Sequence, residues 1–341
     1  MKKKILFIGG TTGGGVATIN NEVIRIFHDA GHDYRLVDTE KMKSRWPAPL
    51  AYLFCYLLAL AKMVSFRPHV VYLQLAQTGY FHQSLFLLFA KLLFRETVAH
   101  FHAKSNLKEA CTSLQFRKIL FSEKYIDQMI LLTEPCRQCL VDHGWNKATH
   151  VVPNFISTEN LPTEFEPVGE RKKHLYIGRM DWEKGIFEIL EVARILLDEE
   201  FVFVGNFADK AQEEKFSREL EAIPNAEWLG PIYDDGKYKI IAESKVLVFP
   251  TKRDEFPMTL IEATILGCVP LVSPVGSVGE IVKDGFNGVH IAPEDVDGIV
   301  DRIRELKQGG ALERMSLNGI EYARTHFTSD AVRDQILGIV G

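Results

Sequence analysis

Lys245 to Ser273 reads KVLVFPTKRDEFPMTLIEATILGCVPLVS. An apolar run, Val246–Phe249, is followed by a polar turn and then by a segment with helical spacing. Pro257 suits a first helical position, and Gly267 stands just past the helix end. Leu260, Ile261, Thr264 and Ile265 recur at one-turn spacing and give that helix a buried face. A second apolar run, Val269–Val272, completes a strand–helix–strand unit of the kind that builds parallel sheets. The turn carries Asp254 and Glu255, and Glu262 lies in the helix. Free N–H groups at a helix start attract phosphate. Two carboxylates beside them would repel it unless cations intervene or the acids hold sugar hydroxyls. An ordinary βαβ unit with surface acids is the plainer reading.

At 341 residues the chain exceeds a typical single core, so two domains are expected. A formal net charge of −5 argues against wholesale nucleic-acid binding. The start, MKKKILFIGG, has basic residues before an apolar run too short for a signal sequence, and reads as a first strand. Five cysteines, an odd number, read as reduced thiols of a cytoplasmic protein. Cys136 and Cys139 form a lone CxxC with no second pair, which reads as two cysteines on a helix.

Ile5–Ile8 leads into Gly9–Gly15, GGTTGGG, and then into Val16–Phe27 with helical spacing. Glycines let backbone approach a ligand closely, but Val16-Ala17-Thr18 does not complete a P-loop. Gly10, Gly13 and Gly15 miss the dinucleotide spacing, although Asp38 ends the next strand. A tight strand–helix turn explains the run equally well. Leu50–Val64 is strongly apolar but shorter than the roughly 20 residues that span a bilayer. It reads as a buried or half-buried helix. Because Lys41, Lys43, Arg45, Lys62 and Arg67 flank it, an interfacial helix at a membrane surface stays open as the second reading. Val70–Leu75 reads as a strand, Leu85–Phe94 as a helix, and Leu107–Ser122 as a helical or irregular wall. Thr97–His102 alternates as a strand and ends in His100-Phe101-His102. Two His at i and i+2 share a face and suit a metal, yet no third ligand is near. Thr133 caps a helix with Pro135 in its first turn.

In the second half Leu175–Ile177 is a strand leading into Gly178-Arg179-Met180-Asp181-Trp182-Glu183-Lys184-Gly185. On their own, Arg179 and Lys184 read as two exposed cations flanking a helix. Strands ending at Gly205 and Gly230 provide turns where ligands sit in open α/β sheets. Tyr322–Val340 reads as a terminal helix. The expected fold is α/β, with two Rossmann-like domains facing a central cleft: 1–155, a linker 156–171, 172–320, and a crossing helix in 321–341.

Asp254, seven residues, Glu262, Ala263 and then Gly267–Val272 resemble the signature of the GT-B-fold retaining glycosyltransferases of family 4. The usual form is Glu, seven residues, Glu, then Ala and a small-residue turn. Asp254 stands where the first Glu is expected and Glu255 where Gly is common, so a frame shifted by one, with Glu255 as the first acid, stays open. Gly178-Arg179, a short turn and Lys184-Gly185 resemble the family's diphosphate grip.

The resemblance implies sugar transfer from a nucleotide-diphosphate donor to a glycan or lipid-linked acceptor, in surface polysaccharide synthesis. It implies that Arg179 and Lys184 hold the diphosphate, and that the backbone of Phe256, Pro257, Met258, Thr259 and Leu260 meets phosphate and sugar. Glu262 would take the ribose hydroxyls, Asp254 (or Glu255) the donor sugar, and His102 would face that sugar. Gly14 and Gly15 match the glycine pair over the donor phosphate, and Gly205 and Gly230 flank the base. With paired cations no metal is required and no cofactor beyond the nucleotide-sugar is implied. The location implied is the cytoplasm, with the inner face of the membrane as its extension. A nucleotide-sugar epimerase on the same fold, a non-catalytic nucleotide-sugar binder and a Rossmann oxidoreductase are the rival classes.

Overall fold

The computed structural model describes residues 2–76, 80–102 and 122–341, with backbone alone at 76, 80–84 and 234. It comprises two compact units, Met1–Ile156 with Ser329–Gly341, and Ser157–Thr328. The expected wall at Leu107–Ser122 lies, but for its last residue, outside the described residues.

The first unit is built on a six-stranded parallel sheet in the order β2-β1-β3-β4-β5-β6. Its strands are β1 Lys4–Gly9, β2 Asp33–Asp38, β3 Val70–Ala76, β4 Glu96–His102, β5 Gln128–Leu131 and β6 Ala148–Val151. Central strands read as unbroken apolar runs because helices cover both faces. Ile5, Leu6, Phe7 and Ile8 of β1 are fully buried. The described helices are α1 Gly14–Asp29, α2 Thr39–Lys43, α3 Ala48–Ser65, α4 Tyr80–Leu92 and α5 Glu134–Asp142. The α4 helix begins five residues before the expected Leu85, since its first turn, YFHQS, carries no apolar period. Thr133 caps α5 as expected, its Oγ1 accepting the Cys136 N–H at 3.3 Å. Cys55, Cys136 and Cys268 are buried cysteines outside any disulfide, whereas Cys139 is disulfide-bonded, so the expectation of five reduced thiols does not hold.

The second unit repeats the plan with strand order β12-β11-β10-β7-β8-β9, every pairing parallel. Its strands are β7 Lys173–Ile177, β8 Glu200–Val204, β9 Ala226–Trp228, β10 Ser244–Phe249, β11 Val269–Val272 and β12 Val289–His290. Its helices are α6 Ile186–Ile195, α7 Lys210–Leu220, α8 Asp234–Ala242, α9 Met258–Ile265, α10 Val278–Ile281, α11 Val296–Leu306 and α12 Ala311–His326. Helix α9 stops as its sequence dictates. Gly267 adopts φ 75°, its N–H bonds Thr264 O at 3.1 Å, and the Cys268 N–H bonds Ala263 O at 3.0 Å. That paired closure needs a left-handed residue, which glycine supplies without strain.

The tail is not one helix from Tyr322. It breaks at Phe327-Thr328, and a separate helix, α13 Ser329–Val340, belongs to the first unit. There Ser329 Oγ donates to Glu22 at 2.9 Å, Gln335 donates to Val151 O at 2.8 Å, and Gln128 donates to Ile339 O at 2.8 Å.

Candidate active site

The second unit gathers most of the sequence motifs at the C-terminal ends of its strands, the edge where open parallel sheets bind ligands. Three glycines make this edge compact. The Gly178 N–H bonds Val204 O at 3.0 Å, and the Gly205 N–H bonds Gly230 O at 2.9 Å. A Cβ on Gly205 would sit 1.9 Å from Gly178 O, so no side chain fits between these strand ends. Gly205 and Gly230, expected from their position after strands, thus form one corner with Gly178.

Beyond Gly178 the chain makes a short 3-10 turn, Trp182–Lys184, opened by Asp181. Asp181 does two things. One carboxylate oxygen accepts the Lys184 backbone N–H at 3.1 Å, and the other accepts Arg179 Nε at 2.7 Å. A single acid therefore fixes both the backbone of one cation and the guanidinium of the other. Arg179 remains largely exposed, so its outer face is open to a ligand. Gly185 adopts φ 73°, and a Cβ there would meet Pro250 O at 2.5 Å. This close approach seats the start of α6 against the end of β10.

As a result Lys184 reaches the turn that precedes α9. Its Nζ donates to Arg253 O at 2.8 Å and to Asp254 Oδ2 at 2.6 Å, above the Phe249 ring. Asp254 Oδ1 in turn accepts the Glu255 N–H at 2.8 Å, while Glu255 O accepts the Ser277 N–H at 3.0 Å. Phe256 is buried, edge-on to Phe327 at 6.0 Å, and anchors the loop. Pro257 is the residue preceding α9 and supplies no side-chain cap, and no acid lies in the first turn. Leu260 N–H turns back to Pro257 O at 3.1 Å. Met258 and Thr259 begin a helix whose dipole favours an anion. One turn on, Glu262 is buried, and Lys237 of α8 donates to its carboxylate at 2.6 Å.

Lys237 and Asp181 were not found by sequence reasoning. Lys237 lies 25 residues before Glu262 on a helix with no motif of its own, so nothing local marks it. Asp181 lies in the Gly178–Gly185 stretch, and an Asp three residues ahead of Lys184 is a recognisable capping signal.

In the first unit Gly13 and Gly14 adopt φ 83° and 71°, and Gly14 and Gly15 open α1, which has no side-chain cap. Asp38 is not available to a ribose: it caps α2 through the N–H groups of Glu40 and Lys41 at 3.1 and 3.0 Å and accepts the Thr11 hydroxyl. A cavity of about 310 Å³ lies under the glycine loop, lined by Gly10, Gly13, Asn20, Glu40, Gln74 and Phe86 among others. Gln74 is buried, and among the described residues neither of its amide atoms has a hydrogen-bond partner. A larger cavity, about 640 Å³, is lined by Phe165, Tyr238 and Lys239 with several acids, and includes none of the motif residues.

His100 is fully buried, its Nδ1 2.8 Å from the Tyr72 hydroxyl, and its ring lies 4.4 Å from that of His102. Burial, and then the neighbouring His102, lower the His100 pKa well below the usual range. Burial also lowers His102 to about 4. Both imidazoles are therefore neutral at pH 7, and among the described residues the Nε2 atom of each has no hydrogen-bond partner. Among the described residues no group of three or more His, Cys, Asp or Glu could hold a metal.

Residues 157–326 match the family model of the glycosyl transferases group 1. An uncharacterized 41.2 kDa protein in the cps region of Klebsiella pneumoniae is 22% identical over 328 residues, covering 87% of this chain and 88% of that one. Glycogen synthase of Thermus thermophilus is 27% identical over 148 residues, 43% of this chain and 34% of the synthase. Among solved structures, sucrose-phosphate synthase from Thermosynechococcus elongatus superposes with a TM-score of 0.75 at 14% identity, covering 99% of this chain and 98% of that one. Anabaena HepE in complex with UDP superposes at 0.77 with 13% identity and 99% of both chains. The fold is that of GT-B glycosyltransferases, and the second unit matches the glycosyl transferases group 1 model along nearly its whole length.

Proposed function

We propose that the chain is a retaining glycosyltransferase that moves a sugar from a nucleoside-diphosphate sugar to a glycan or lipid-linked acceptor. The observation that carries this reading is the contact of Lys184 with Asp254 at the entry to α9, beside an Arg179 braced by Asp181. Breaking a sugar–phosphate bond leaves a diphosphate of growing negative charge. Fixed cations and a helix start stabilise that charge without a metal.

In this reading Arg179 forks onto the diphosphate and Lys184 swings from Asp254 to it. Asp254, released, takes hydroxyls of the donor sugar and orients it, while the Phe256–Leu260 backbone meets phosphate and sugar. Glu262 takes the ribose hydroxyls, with Lys237 holding its charge. The departing phosphate accepts the acceptor's proton on the same face, so configuration is kept and no protein nucleophile is needed. His102, neutral, offers a hydrogen bond to a sugar hydroxyl and no positive charge. The relative in a Klebsiella cps region favours a role in surface polysaccharide synthesis. Structural neighbours crystallised with UDP and with UDP-glucose favour a nucleotide-sugar donor.

A thermal-shift screen of UDP-, GDP- and ADP-sugars identifies the donor, because a true ligand raises the unfolding temperature by mass action. NMR of the product then reads the anomeric configuration. An inverted anomer would overturn the same-face mechanism, and the absence of any stabilising nucleotide-sugar would overturn the whole reading.

A further inference from the structure

Helix α3 is apolar on two opposite faces. One face, Ala51, Cys55, Ala59 and Met63, is buried in the core of the first unit, and Tyr56 beside it packs on Phe86 at 4.7 Å. The other face is exposed. Leu50, Leu53, Phe54, Leu57, Leu60 and Val64 recur at three- and four-residue steps, and Leu53, Leu57 and Val64 are each more than half exposed. Trp46, also exposed, stacks obliquely on Phe54 at 5.2 Å and extends the stripe. From Leu50 to Val64 the stripe runs roughly 20 Å, at 1.5 Å per residue. Isolated exposed leucines need no explanation, but a continuous stripe of this length marks a contact surface.

The charge around it is one-sided. Residues 41–67 contain Lys41, Lys43, Arg45, Lys62 and Arg67 and no acid. Glu40, just before them, holds Lys43 at 2.7 Å, so counting it the segment is still four positive (five cations less one acid) in a chain of net charge −5. Lys41 and Arg45 are exposed at one end of the helix and Arg67 at the other.

We infer that this face of α3 lies on an anionic lipid surface, with the leucines and Phe54 at the acyl boundary and the flanking cations among the headgroups. The helix has the length and hydropathy of a membrane span. It cannot cross as one, because its other face is part of the core and would have to leave it. A second copy of the chain is the weaker occupant. A two-fold contact sets the same patch against itself, and here that would bring like charges together. An anionic bilayer meets both the apolar stripe and the charge. The inference stands on this helix alone and is independent of the transferase reading.

Flotation of the full chain with vesicles tests it, comparing phosphatidylcholine alone with phosphatidylcholine plus phosphatidylglycerol, at low and high salt. The wild type floats with the anionic vesicles, less so in high salt. The L53Q/L57Q/V64Q variant loses at least ten-fold in partitioning while its unfolding temperature stays that of the wild type. The K41E/R45E variant loses the preference for anionic vesicles, and decides the matter by itself should the triple variant fail to fold. Failure of the wild type to float, or undiminished flotation of the triple variant, overturns the inference. So does a dimer, seen by light scattering, that the triple variant abolishes while neither protein binds vesicles.

Discussion

Lys184 Nζ lies 2.6 Å from Asp254 Oδ2, so the cation assigned to the diphosphate and the acid assigned to the donor sugar are paired with each other. Both side chains are mostly buried, which strengthens the pairing over that of a surface ion pair. In the proposed cycle the diphosphate competes with Asp254 for Lys184, and the sugar hydroxyls then occupy Asp254. Donor binding exchanges one charge-assisted contact for two.

That exchange separates binding from transfer in one variant. Asp254→Asn frees Lys184 without altering size, so the affinity for the nucleoside diphosphate alone should hold or rise. Transfer should fall about a hundred-fold, because the sugar loses its orienting carboxylate. Glu255→Gln should cost far less. Calorimetric titration with the diphosphate, beside initial transfer rates, checks both. A larger rate loss in Glu255→Gln would mean that the first acid is Glu255.

Gly185 should be intolerant of any side chain. Its φ of 73° and the 2.5 Å approach of a Cβ to Pro250 O combine backbone strain with a clash against main chain. Gly185→Ala should lose about 3 kcal/mol or more of stability, measured by urea unfolding. Diphosphate affinity should fall with it as Lys184 is displaced. A variant as stable as the wild type would mean that the α6–β10 approach is looser than described.

The Lys237–Glu262 pair predicts a coupling. Lys237→Met leaves a buried carboxylate without its cation and should cost about 2 kcal/mol or more, whereas adding Glu262→Gln should restore much of that loss. A double-mutant cycle on unfolding free energy checks it. Additive losses would show that the two side chains act independently.

The first unit should weaken on mild acidification. Burial lowers the His102 pKa to about 4, and burial with the neighbouring His102 lowers that of His100. In the unfolded chain both would titrate near 6.5. A group whose folded pKa is depressed lets the unfolded state bind more protons, so stability is full above about 6.5 and falls as pH drops toward about 4. Unfolding free energies from urea titrations at pH 7.5 and 5.5 should differ by an amount on the order of 1–3 kcal/mol. The H100F/H102Q variant should show a smaller difference. An unchanged slope would assign the acid sensitivity elsewhere.

Much of this architecture was legible because it is local. Val246–Phe249, the α9 face and Gly267 specify a strand, a helix and its stop within 29 residues, and the structure repeats that order, with Gly267 closing the helix through Thr264 and Ala263. Thr133 likewise announces α5. The contacts that make the site are not local. Lys184 meets Asp254 across 70 residues and Lys237 meets Glu262 across 25, and both depend on how strands β7 and β10 and helices α8 and α9 pack. The break in the tail is hidden in the sequence for a related reason. Tyr322–Val340 keeps helical spacing throughout, and only the docking of Ser329 onto Glu22 and Ile156 breaks it. Helix α3 lacked contrast, because apolar residues on both faces hide which one is buried.

The central claim is that Arg179 and Lys184 together hold a nucleoside diphosphate at the start of α9. Isothermal titration of that diphosphate, the one that stabilises the wild type, into R179A/K184M tests it most directly. Loss of two charge-assisted contacts predicts at least a hundred-fold weaker binding with the unfolding temperature of the free protein preserved. Unchanged affinity in a folded double variant would contradict the account.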